Sequence, residues 1–152
     1  MPIIENRNAI YEMIYAVVDT NVLVAAAKSH KPDSSASRIV SLVFSGVIQP
    51  LVCDEIIQEY EEILNLPVLS IPSDISHGLL LKFKEDGINP GITPTDEEYP
   101  DPTDRVFYEI SLSVEDAYLV TNNKKHFPGT HRVVTPSEML LILIGAGFIP
   151  AL

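Results

Sequence analysis

The stretch Tyr15-Ala16-Val17-Val18-Asp19-Thr20-Asn21-Val22-Leu23-Val24 decides the fold. Apolar residues run up to Asp19 and resume at Val22. Val17 and Val18 are β-branched, so residues 14–18 suit a strand buried on both faces. Asp19 ends that strand. A carboxylate is costly to desolvate and seldom sits at the end of a buried strand without a partner. Ligands of open α/β sheets bind beyond the carboxyl ends of the strands, which is where Asp19 stands. On this stretch alone two roles are open: a functional carboxylate, or a cap on the helix that follows.

Working outward, strands alternate with helices. Residues 20–28 are short, apolar and Ala-rich, which predicts a helical turn or two. A loop at 29–35 leads to a helix that Ser34 or Ser35 caps and that runs through Ser45, with Gly46 as its stop. Residues 47–53 predict a second strand, and Pro50 favours an edge position or a strand end. Asp54 is expected to cap a helix over 54–65 whose Ile56, Ile57, Tyr60, Ile63 and Leu64 share one face. Glu59 and Glu61 flank that face, and the helical wheel leaves both open. A helix opening at 72–74 places Ile75, Leu79, Leu80 and Phe83 inward and stops at Gly87. The acidic, Pro-rich segment 88–103 is a long loop, and loops of that length are often functional. A helix over 104–113, a buried strand over 117–121, a turn at 122–125, a short strand over 132–135 and a helix over 136–144 complete the pattern. This alternation predicts an α/β fold with a parallel sheet. A single domain is expected over 1–152, with a lead-in at 1–13 and a core over about 14–147.

The chain has 152 residues, 46% of them apolar and 20% charged, enough for a proper core. Its apolar runs are too short to span a bilayer. The N-terminus lacks the form of a signal peptide, and Cys53 is alone, so the cytoplasm is the expected location. The net charge of −11 argues against broad nucleic-acid binding, which rests on Lys and Arg contacts to phosphates. It leaves room for an enzyme that holds cations in an acidic pocket and meets RNA locally.

Three polar clusters fall where strands end or helices begin: Asp19, Asp101 with Asp104, and Thr121 with Asn122 and Asn123. Carboxylates and an amide converging there suit Mg²⁺ or Mn²⁺, hard cations that take oxygen ligands. Without a cation, each close pair of carboxylates repels by about 1–4 kcal/mol.

On these residues the chain resembles the PIN-domain family of metal-dependent ribonucleases. Val17–Val24 (VVDTNVLV) resembles that family's opening motif. The segment 53–64 (CDEIIQEYEEIL) is similar to its second motif, and the family's glutamate then falls on Glu59. The segment 101–112 (DPTDRVFYEISL) resembles the third motif, with the key aspartate at Asp104 and an auxiliary one at Asp101. The segment 117–127 (AYLVTNNKKHF) resembles the fourth, with Thr121 at the family's Ser/Thr. The match is nearest to VapC-type toxins of toxin–antitoxin pairs. The resemblance implies a three-layer α/β/α sandwich around a five-stranded parallel sheet. It also implies an Mg²⁺- or Mn²⁺-dependent endoribonuclease acting on single-stranded or structured RNA, with an antitoxin as partner. Asp19, Glu59 and Asp104 would be the catalytic metal ligands, joined by Asn123. Asp101, Thr121, Asn123 and Asn21 would support ligands, water or substrate. Asn123 is a departure, because many members carry a fourth aspartate there; a neutral oxygen weakens a second metal position more than the first. Asp116 is read as a solvated turn residue.

Lys124 and Lys125 are weaker candidates for RNA contact, with Lys28, Lys31 and Arg38 behind them. The four histidines, His30, His77, His126 and His131, show no paired ligand spacing and are read as surface or core residues. Residues 139–144 are apolar on every side, which suits a buried helix and leaves room for a homodimer contact. Two other readings compete: a catalytically silent PIN-like module that binds a protein such as an antitoxin, and an aspartyl-phosphate phosphatase. The phosphatase usually needs an Asp where Asn21 sits.

Overall fold

The structure is a computed structural model and describes residues 13–151. The expected lead-in, apart from Met13, lies outside the described residues. Strand β1 is Ile14–Val18, and Ala16, Val17 and Val18 have no solvent exposure. A strand dry on both faces needs cover on both, and the helices supply it. In chain order β1 is followed by α1 (Thr20–Lys28), α2 (Ser35–Phe44), β2 (Ile48–Pro50), α3 (Asp54–Leu64), α4 (Ser73–Asp86), α5 (Arg105–Ser111), β3 (Tyr118–Val120), β4 (Val133–Val134) and α6 (Pro136–Gly145). Single 3₁₀ turns stand at Pro67–Leu69, Pro102–Asp104 and Lys124–His126.

The strands pair in the order β2-β1-β3-β4, all parallel, with Ala16 opposite Pro50 on one side and Tyr118 on the other. β2 therefore lies at an edge, where Pro50 ends it without breaking an inner ladder. The five-stranded sheet implied by the resemblance is not found; among the described residues the sheet has four strands. Outside β2 the chain makes one bridge, Leu51 with Ile88. There Ile88 N–H donates to Pro50 and its carbonyl accepts from Val52 N–H. The next residue facing that edge is Pro90, which has no N–H, and Gly91 turns away at a φ of +89°.

Local chemistry sets the helix starts. The Ser34 side chain accepts from Ser37 N–H at α2, and Thr135 forms a capping box with Glu138 at α6. The cap of α3 is Cys53, not Asp54; Asp54 and Glu55 lie in its first turn, where the helix dipole favours negative charge. Ile56, Tyr60 and Leu64 recur every four residues and are buried. The Tyr60 hydroxyl donates to Val18 O, fastening α3 across the carboxyl end of β1, and its ring meets Phe83 edge-on at 5.3 Å. Ile75, expected inward, is 41% exposed. In α6, Met139, Leu140 and Leu143 are buried while Leu141 is 69% exposed. Most of that apolar run therefore serves the core. Among the described residues no helix is long and apolar enough to cross a membrane.

Gly87 closes α4 where the chain presses against β2's continuation. A Cβ there would stand 2.4 Å from Phe83 O and 2.4 Å from a Val52 methyl. Gly87→Ala must therefore shift backbone or core. It is expected to lower stability by about 1–3 kcal/mol, read as a shift in urea midpoint with an unchanged slope.

Candidate functional site

Parallel packing brings the carboxyl ends of β1 and β3 side by side, and the chain leaves both at polar residues. Asp19 N–H still donates to Val120 O at 2.9 Å, so Asp19 is held in register with β3. Its carboxylate makes no capping bond to α1. Instead Oδ2 accepts from Thr121 Oγ1 at 2.7 Å and from Asn21 Nδ2 at 3.1 Å. Asn123 N–H donates to Thr121 Oγ1, and Asn122 N–H donates to Asn21 Oδ1. Asp19, Asn21 and the 121–123 turn thus form one closed hydrogen-bonded ring. The capping role left open by the sequence does not account for this carboxylate.

A cleft of about 400 Å³ opens on that ring, lined by Asp19, Asn21, Glu59, Asp101, Asp104 and Asn123 among others. Glu59 reaches it from α3 and accepts a hydrogen bond from the Thr20 hydroxyl. Glu61 points elsewhere, 3.8 Å from Lys84. Asp104, buried at the end of the 3₁₀ turn, places Oδ2 3.3 Å from His126 Nδ1. Asp101 is exposed and accepts from the Thr103 N–H and hydroxyl.

Two cleft residues, Thr20 and His126, escape the sequence reading. Thr20 sits inside the opening motif but its partner is on α3. His126 has no histidine at ligand spacing, and its partner is an aspartate on another element; it is a cleft residue, not the generic surface or core residue expected. Lys124 pairs with Glu138 at 3.1 Å, and Lys125 is exposed.

The acidic loop that delivers Asp101 is clamped. Arg105 donates to Thr95 O and Glu97 O, each at 2.8 Å, and stacks 4.9 Å above the Tyr99 ring. The buried Glu109 accepts from Thr95 N–H at 2.7 Å.

The acids divide by environment. Burial pushes Asp19 above its ordinary range, against the pull of its Thr121 bond. Burial also raises Glu59, with Asp19, Asp104 and Asp101 adding repulsion. Asp104 is raised from 3.8 to about 6 by burial first, then by the charges of Asp19 and Asp101. Asp101, held by its Thr103 bonds, is lowered. Hard oxygen donors of this kind are chemically suited to Mg²⁺ or Mn²⁺. Yet among the described residues no group of three or more His, Cys, Asp or Glu side chains is assembled to hold a metal ion. Each buried acid is met by a hydroxyl, an amide or an imidazole instead.

The folded state binds the Asp104 proton more tightly than the unfolded chain does. Its contribution to stability is therefore full below about pH 4, falls as pH rises to about 6, and stays lost above that. Asp104→Asn, measured in chelator, is expected to abolish this decline. It should melt above wild type at pH 7.5, by up to about 3 kcal/mol, and match it at pH 4. Melting temperature against pH is the measurement.

Neither a curated protein nor a solved structure matches the chain. The sequence pattern described as PIN domain matches residues 15–125, a span that holds β1, the α3 glutamate, the aspartates of the 3₁₀ turn and the turn after β3. With that span covering well over half its length, the chain belongs to the PIN-domain family.

Proposed function

We propose that this PIN domain acts through its acidic cleft as a divalent-metal-dependent ribonuclease. The observation that supports this is the gathering of Asp19, Glu59, Asp101 and Asp104 around one cleft, with Asp19 raised by burial and Glu59 and Asp104 raised by burial and by neighbouring charge. Acids so placed gain most from a cation. Asp19, Glu59 and Asp104 would hold Mg²⁺ or Mn²⁺, with Asn123 offering a neutral oxygen. When bound, such an ion polarises a phosphodiester and makes a water nucleophilic at neutral pH. The chain's own part is positional. Thr121 and Asn21 fix the Asp19 carboxylate, and the Thr103 bonds hold Asp101 at the rim. Glu59 lines the same cleft while one of its carboxylate oxygens accepts from Thr20. Lys125, exposed next to the cleft residue His126, is the candidate for phosphate contact from this turn, since Lys124 is engaged by Glu138.

A second reading has its own support: a catalytically silent PIN module that binds a protein such as an antitoxin. No metal-holding group is assembled among the described residues, each buried acid already has a neutral partner, and Asn123 supplies no charge. As the side chains stand, this reading asks for no rearrangement. A toxin role, an antitoxin partner and a homodimer belong to this proposal under either reading.

Calorimetry with Mn²⁺ and an RNA cleavage assay separate them. For the ribonuclease, Mn²⁺ raises the melting temperature by mass action, Asp104→Asn shrinks that rise, and Asp19→Asn abolishes cleavage. Asn123→Asp is expected to tighten Mn²⁺ binding about tenfold, or about 1.4 kcal/mol, and to melt earlier than wild type in chelator. No heat and no change in melting temperature at millimolar Mn²⁺ would overturn the metal-dependent reading and favour the silent module.

A further inference from the structure

Residues 93–99 carry no helix or strand, yet they are anchored at several points, and the anchors converge on α5 and its end. Thr93 N–H donates to Glu109 O at 3.2 Å, and the Thr93 hydroxyl meets that of Ser113 at 2.8 Å. Thr95 N–H and the Thr95 hydroxyl both donate to one oxygen of the buried Glu109 carboxylate. From the other side Arg105 grips Thr95 O and Glu97 O. Its guanidinium also lies 3.6 Å from Glu109, so the charges at i and i+4 hold each other as well as the strap. Tyr99, buried against the guanidinium, sets its ring 6.4 Å from that of Tyr108.

Asp101 lies two residues beyond Tyr99. The bonds of its side chain are local, to Thr103, and Asp104 N–H donates to Asp101 O at 3.0 Å. These bonds shape the turn without fixing where the turn stands. Its place is set by the chain on either side, the strap before it and α5 after it. Arg105 touches both. A planar guanidinium can fork to two carbonyls and stack on a ring at once, which a lysine cannot do. We propose that Arg105 is a positioning residue for the acidic cleft: by pinning residues 93–99 to α5 it sets where the turn that carries Asp101 and Asp104 stands. This role rests on the metal-dependent reading and adds a residue that acts on the cleft from outside it.

Charge alone points the opposite way. A guanidinium near the acids repels an arriving cation, so its loss should tighten Mn²⁺ binding. Loss of the clamp should weaken it, because removing the outer partners of metal ligands costs about tenfold or more in affinity. The sign of the change therefore separates the two effects.

The test is calorimetry of the full chain with Mn²⁺, well below the melting temperature, on wild type, Arg105→Gln and Arg105→Lys. The Arg105 side chain is 41% exposed, so both variants are expected to fold. Arg105→Gln is expected to bind Mn²⁺ about tenfold more weakly than wild type. Arg105→Lys keeps the charge and loses the fork, and should fall between the two. In parallel, a protease that cuts after glutamate reads the strap through the exposed Glu97 and Glu98. In chelator it is expected to cut there several-fold faster in Arg105→Gln than in wild type. If wild type takes up Mn²⁺ and Arg105→Gln binds it as tightly or more tightly, the positioning role is overturned and the metal-dependent reading stands. If Arg105→Gln binds weakly while its strap is cut no faster, the loss does not pass through the strap and the proposal is again overturned. If wild type takes up no Mn²⁺, the metal-dependent reading and the proposal fall together.

Discussion

Much of this structure answers one constraint: a carboxylate has been buried at the end of a strand. Asp19 is 6% exposed, and burying a charge without partners costs several kcal/mol. The fold meets that cost with two donors from different places, Thr121 at the end of β3 and Asn21 in the first turn of α1. Each donor is itself held by a backbone N–H of the 122–123 segment. The pairing of β1 with β3 is thus needed twice, once for the ladder and once to bring Thr121 within reach of Asp19. The Tyr60 bond to Val18 O ties the third element to the same point. That bond fixes how far Glu59, one residue earlier on α3, stands from the ring.

What was legible in the sequence follows from periodicity and local chemistry. The strand at Ile14–Val18 shows because its residues are apolar on both faces, and α3 because Ile56, Tyr60 and Leu64 recur on one side. Ser34 as a cap and Gly87 as a helix stop were readable from local chemistry, whereas the Thr135 capping box was not, because 132–135 read as strand. What was not legible depends on partners far apart in the chain. The wheel leaves Glu59 and Glu61 level; the packing of α3 turns Glu59 into the cleft and Glu61 toward Lys84. His126 looked generic because its partner, Asp104, is 22 residues away. The acidic loop read as a loop, but the clamp of Arg105 and Glu109 on Thr95 and Glu97 has no sequence signature. The missing fifth strand was readable in part, since Pro90 and Gly91 follow Ile88, yet only the structure shows Ile88 against the open edge of β2.

The acids are not interchangeable. Asp101 is exposed and accepts two bonds from Thr103, which favour its charged form. Asp104, three residues on, is buried beside Asp19 and is pushed the opposite way. One short turn thus presents a committed anion at the rim and a reluctant one in the floor.

The two functional readings differ over whether the acids of the cleft take up a cation. Asp19 and Asp104 are held by the backbone of β1 and by the 3₁₀ turn, so they have little freedom to approach or avoid a cation. Glu59 stands on a longer side chain and is held by the Thr20 hydroxyl alone. A neutral hydroxyl bonded to a carboxylate is worth about 1–3 kcal/mol. A divalent ion facing three carboxylates offers each of them more, because the attraction grows with the ion's charge and with the low dielectric around buried acids. On those magnitudes the Thr20 bond orients Glu59 in the cleft but would not outcompete a divalent ion for its carboxylate. The absence of an assembled metal group among the described residues favours the silent module, while the gathering of four acids around one cleft supports the ribonuclease.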